Sequence, residues 1–155
     1  MNTDLAHQAR ASRKFLDNLL KQFPPDSADF RPHEGAFTVS QQIRHIARTI
    51  HWFQEGIFDG TFRMDFEAME KELATPCSLA DARAELDQAW DEWIARIESA
   101  TGKELQEKLP PNPILGEMPR WLALQSNVDH VAHHRGSLAV YLRLLGVVPE
   151  MIYVC

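Results

Sequence analysis

Three of the chain's seven histidines, His130, His133 and His134, fall within five consecutive positions. Imidazole is the commonest protein ligand for transition metals and titrates near neutral pH, so such a cluster points to metal binding or proton transfer. On an α-helix, residues four apart stand one above the other, and His130 and His134 can present their rings to one point, as in half of many zinc sites. Winding the segment at about 100° per residue from His130 puts His134 near ~40°, beside an apolar arc holding Ala123, Leu138, Tyr141 and Leu142. His133 falls near ~300° on that wheel, with Gln125, Ser126, Asp129 and Arg143, and should face water or a partner. Two imidazoles make only half a site, because a tightly held transition metal takes three or four protein ligands.

The third ligand has to come from another element. Val39, Ile43, Ile46, Ile50, Phe53 and Ile57 keep alternating steps of four and three, the seam of a helix in a bundle. His45 and His51 flank this seam at similar angles, so the stripe alone does not choose between them. Their neighbours do: His51 shares its side with Arg44, Arg48 and Glu55, an arc expected to face water. His45 lies with Gln42, Thr49, Trp52 and Gly56, a better cleft lining, and is read as the third ligand.

Three protein ligands leave a position for water or substrate. Zn²⁺, Ni²⁺ and Fe²⁺ all accept imidazole. An open position implies Lewis-acid work or activation of a water or thiol by lowering its pKa. Val131, Ala132 and His133 separate the pair, so the HExxH glutamate of a zincin protease is missing. The opposing reading is an incidental HxxxH pair on an ordinary helix, or a structural site closed by a fourth ligand, for which His51, His133 and Asp129 are candidates. His33, between Pro32 and Glu34, reads as a solvated loop residue.

The elements that must position these residues are helical. A first amphipathic helix runs from about Thr3 to Gln22, carries Leu5, Ala9, Phe15, Leu16, Leu19 and Leu20, and stops before Pro24-Pro25. The second opens at Thr38 or Ser40 and runs to about Phe58. Residues 59–77 lack a clear period and read as a partly helical flap or a functional loop. Ser78-Leu79-Ala80-Asp81 resembles a capping box for a third helix, with Leu79, Ala82, Leu86, Trp90, Trp93 and Ile97 inward and Thr101-Gly102 as its stop. Trp90 and Trp93 could line a cavity, but bulk core is the more ordinary use of such a pair. A proline-rich bridge from Leu109 to Met118 leads, through Pro119 as a first-turn residue, into the histidine helix, Trp121–Leu145. The apolar tail after Gly146 should lie against the body.

With 155 residues, 45% hydrophobic and 25% charged, the chain reads as one soluble globular domain over residues 1–155. A net charge of −6 without a Lys/Arg cluster argues against nucleic acid. The polar start MNTDLAHQARASRKF lacks a signal's apolar core, and no run of ~18 apolar residues follows, so a cytoplasmic protein without a membrane span is expected. Cys77 and Cys155 form neither a scaffold nor a CxxC pair and read as free thiols suited to a reducing compartment.

The segment TVSQQIRHIA, followed near the end by NVDHVAHHRGSLAVYLRLLGVVP, resembles the DinB family of metal-dependent proteins, which includes the YfiT-like enzymes. The resemblance spans nearly the whole chain, and its HxxHHRG segment is its most specific part. It implies an all-α four-helix bundle with up-down-down-up connectivity, a metal on three histidines and frequent homodimers. Carried over by position, the ligands are His45, His130 and His134, the three that periodicity selects. Ser137 departs from the pattern, since relatives commonly carry Gln after the glycine. Asn127 and Arg135 flank the ligand pair and could orient ligands or an anionic substrate, and Trp52 and Tyr141 are expected to line the pocket. Characterised relatives resemble thiol-dependent transferases and isomerases that use a low-molecular-weight thiol. The function expected is therefore a metal-dependent, thiol-dependent transferase or hydrolase acting on a small electrophile. The alternative is a non-catalytic dimeric stress-response or binding module with a structural metal or none.

Overall fold

The computed structural model describes residues 1–154; Cys155 lies outside the described residues. Four long helices carry the apolar stripes: α1 (Asn2–Leu20), α2 (Val39–Gln54), α4 (Leu79–Ser99) and α6 (Arg120–Leu144). Two short helices, α3 (Phe66–Leu73) and α5 (Gly102–Gln106), lie in the connections. No strand occurs among the described residues, and no helix is long and apolar enough to cross a membrane.

The starts are fixed by local chemistry. Thr38 opens α2 with a full capping box: its hydroxyl accepts from the Gln41 amide at 3.2 Å, and the Gln41 side chain accepts from the Thr38 amide at 2.9 Å. Ser78 caps α4 by accepting from the Asp81 amide at 3.1 Å. Pro119 stands immediately before α6, one position outside the helix rather than in its first turn. The helix expected to run to Phe58 is α-helical only to Gln54 and continues as a π-helical turn, Glu55–Asp59. Gly60 ends that turn at φ 78°, a left-handed conformation that glycine adopts without a Cβ clash. The segment 59–77, read as irregular, holds α3, capped by Asp65 on the Ala68 amide. Thr101-Gly102 does stop α4, and it also starts α5, because the Thr101 hydroxyl accepts from the Glu104 amide.

Side-chain pairs give the directions of the bundle. Arg10 meets Glu98 and Arg13 meets Asp87, so α1 and α4 are antiparallel. Arg44 meets Glu85 and His51 meets Glu92, so α2 and α4 are parallel. Gln42 contacts His134 while Phe53 packs on His130, which makes α2 and α6 antiparallel. Gln8 bonds Gln125 and Phe15 lies under Arg135, which makes α1 and α6 parallel. The result is up-down-down-up, with α1 and α2 on one diagonal and α4 and α6 on the other.

Trp90 and Trp93 are fully buried in the common core with Leu16, Ile43, Ile46, Ile50 and Leu138, which settles their role as core. The Arg44–Arg48 arc, expected to face water, instead faces α4. Arg44 is 8% exposed, and its Nε donates to Glu85 at 2.9 Å while Arg48 Nε donates to the other carboxylate oxygen at 3.0 Å. The C-terminal tail docks on α1 as expected: Asn18 donates to the Ile152 carbonyl at 2.9 Å, and the Phe15 and Tyr153 rings meet at 5.0 Å.

Candidate metal centre

α2 and α6 face each other through their imidazoles. On α6, His130 and His134 stand one turn apart with Nε2 atoms separated by 3.1 Å. From α2, the His45 ring lies 5.3 Å from that of His130 and 4.6 Å from that of His134. Each of the three offers a nitrogen within 4.8 Å of the other two. Among the described residues no other His, Cys, Asp or Glu joins this group. His51 sits on the α4 side against Glu92, Asp129 is exposed, and His133 stands edge-on to His134 while remaining exposed, so none closes the site.

The donor set fits a divalent transition metal. Two nitrogens at about 2.1 Å from one ion stand roughly 3.0–3.4 Å apart for ligand angles between octahedral and tetrahedral, and the Nε2 atoms match that spacing. The electrostatics agree. Burial, followed by the charge of neighbouring imidazoles, lowers the pKa of His134 to about 3 and that of His130 to about 4. Burial also lowers that of His45, with His133 adding to the effect. All three rings are therefore neutral at physiological pH, the form that binds metal. His130 Nδ1 is buried without a hydrogen-bond partner, as are both amide atoms of Asn127, which is fully buried one turn earlier on α6.

A cavity of about 510 Å³ opens on the α2 side of the cluster and reaches it at His45. Phe37, Trp52, Phe66, Met69 and Leu73 make its apolar walls, so α3 covers it. Glu72 is gripped by Arg48 at 3.0 Å and Arg63 at 2.8 Å, which ties α3 and the preceding loop to α2. Trp52 lines the cavity as expected, with its indole N–H donating to the Arg63 carbonyl at 2.7 Å. Phe62 lies over Gly56, where an added Cβ would come within 2.0 Å of the ring.

Two expectations are corrected. Tyr141 does not line the cavity: it is 7% exposed, and its hydroxyl donates to the Phe37 carbonyl at 3.1 Å, so it supports the residue that packs on His45 at 5.4 Å. Arg135 stands over the rings of Phe15 and Tyr153, on the α1 side, where the tail supplies an aromatic face for its guanidinium. From sequence Gln42 was read only as cleft lining beside His45, and Phe37 was not singled out. The only available signal for Gln42 was a polar side chain one turn before His45 on the same face.

A family model for the DinB superfamily matches residues 8–138. The uncharacterized protein YjoA of Bacillus subtilis is 24% identical over 135 residues, covering 86% of this chain and 84% of its own length. The crystal structure of that DinB-like protein superposes with a TM-score of 0.73 at 20% identity, covering 97% of each chain. YfiT of Bacillus subtilis, described as a probable metal-dependent hydrolase with an unusual four-helix bundle topology, superposes with a TM-score of 0.72 at 18% identity, covering 94% of this chain and 88% of its own. These superpositions establish a shared fold.

Proposed function

The chain belongs to the DinB superfamily, and from that premise and the geometry of the histidine cluster we propose that it is a metal-dependent enzyme, a thiol-dependent transferase or a hydrolase acting on a small electrophile. The carrying observation is the convergence of His45, His130 and His134 from two helices, with no fourth protein ligand among the described residues. Zn²⁺, Ni²⁺ or Fe²⁺ on these three nitrogens supplies a Lewis acid that lowers the pKa of a thiol or water beside it.

The chain's own residues divide the remaining work. The neutral rings offer ligand nitrogens that protons do not contest at neutral pH. The apolar walls of Phe37, Trp52 and Phe66 exclude water and favour an uncharged substrate body next to His45. The Arg48–Glu72–Arg63 clamp holds α3 over that space, and its opposing charges compensate one another. A low-molecular-weight thiol would enter as co-substrate. The proposal includes a homodimer, supported by the exposed apolar side chains Val140 and Leu144 one turn apart on α6, with Val148 beyond them.

Conversion of an electrophilic probe, followed with added zinc and candidate thiols, tests the reading. The expected result is turnover by the wild type and none above background for His134→Ala. Equal rates in the two proteins would remove the enzymatic claim.

A further inference from the structure

Gln42 lies one turn before His45 on α2, is 4% exposed, and reaches across to α6. Its Nε2 stands 3.1 Å from Nδ1 of His134, while its Oε1 is buried without a partner. An amide nitrogen is a donor only, so in this arrangement His134 Nδ1 accepts and the ring's proton sits on Nε2. That proton is directed at Nε2 of His130, 3.1 Å away. His130 must then carry its own proton on Nδ1, which is buried with no acceptor. This arrangement leaves Gln42 Oε1 and His130 Nδ1 unmet, and buried polar groups are rarely left so.

A ligand nitrogen carries no proton. When His134 binds through Nε2, its remaining proton resides on Nδ1 and needs an acceptor where Gln42 Nε2 now stands. The two ends of a glutamine amide are nearly identical in shape, and a half-turn about the terminal bond exchanges them. In that orientation Oε1 accepts from the Nδ1–H, and Nε2 takes the buried place that Oε1 held.

Building on the metal reading, we propose that Gln42 is a positioning residue for the site: from the opposite helix its side-chain oxygen holds His134 in the metal-binding tautomer. A carbonyl acceptor on the second ring nitrogen is a usual way in which proteins fix and strengthen an imidazole ligand.

Zinc affinity, measured by competition with a chromophoric chelator, tests this on wild type, Gln42→Leu, Gln42→Glu and His134→Ala, with thermal melting of the metal-free proteins as the check on folding. Gln42→Leu should bind zinc about 10- to 100-fold more weakly than wild type. Gln42→Glu, which keeps an acceptor, should bind at least as tightly as wild type, an outcome that a merely space-filling role would not produce. In nitrogen-15 spectra of the zinc-loaded protein, the His134 proton should reside on Nδ1. Gln42→Leu and Gln42→Glu both binding within about twofold of wild type would overturn the inference while leaving the metal reading intact. Wild type binding no better than His134→Ala would overturn the metal reading and the inference together.

Discussion

The two sides of α2 solve the problem of buried polar groups in opposite ways. Toward α4, Arg44 and Arg48 share the two oxygens of Glu85, and Arg44 also donates to the Thr75 carbonyl at 2.9 Å, so charge is matched by charge within the chain. Toward α6, three neutral imidazoles crowd together, with His130 Nδ1 and Gln42 Oε1 left unmet. A side closed by its own partners supports the fold. Among the described residues, four of the seven buried side-chain polar atoms without a partner lie around the histidines, in Gln42, Asn127 and His130, and the others belong to Ser12, Gln54 and Trp90, so unmet groups are concentrated on this side.

The contrast can be broken most forcefully at the ligands. His45→Ala should weaken zinc binding by more than the roughly 100-fold ceiling for outer-layer changes, while the metal-free protein melts near the wild-type temperature. A matching loss of stability would show that the imidazoles serve the fold. Arg44→Ala should do the reverse, lowering the unfolding free energy in urea by about 2 kcal/mol, less than a fully buried broken pair because Glu85 keeps Arg48. Its zinc affinity should match wild type.

Gly56→Ala tests the packing of Phe62 against the cavity residue Trp52, between those extremes. A Cβ at 2.0 Å from Phe62 forces the ring aside at a cost of about 1–3 kcal/mol, and the change should appear in the fluorescence of Trp52, 4.8 Å from Phe62 between ring centres.

Acid provides a gentler probe. The unfolded chain takes up protons on its histidines near the ordinary value of 6.5, whereas the folded chain resists until about 4 at His130 and about 3 at His134. The contribution of these residues is therefore complete above pH 6.5 and is lost as pH falls through the folded values. The melting temperature of the metal-free protein should decline across that window, and His130→Ala with His134→Ala should flatten the decline. The smallest effect belongs to the α2 start, where Thr38→Ala should cost about 1 kcal/mol with zinc affinity unchanged.

The four long helices were legible because apolar residues recur at helical spacing in each and because cap or stop residues, such as Pro24-Pro25 after α1 and Ser78-Leu79-Ala80-Asp81 before α4, mark their ends. The pairing of His130 and His134 was legible because i, i+4 geometry is local. His45 was reached by a sound comparison with one mistaken premise: Arg44 is buried and Arg48 half-buried against α4, and nothing local to them announces Glu85, some forty positions away, as their partner. Still larger separations in sequence hid the turn of Arg135 toward Phe15 and of Tyr141 toward Phe37. By contrast α5 was written in plain view, since Thr101-Gly-Lys-Glu104 has the spacing of a capping box but was taken only as an ending.

The π-helical turn at Glu55–Asp59 has a bearing on how this architecture can diversify. Such a turn is an α-helix with one residue too many, so shortening residues 55–59 by one would restore regular winding. Everything downstream would rotate by about 100° around the axis, while His45, three turns upstream, would stay where it is. The loop leading to α3, which carries the cavity residue Arg63, can thus be re-aimed by a single insertion or deletion, letting selection vary what enters the pocket independently of what waits at its floor.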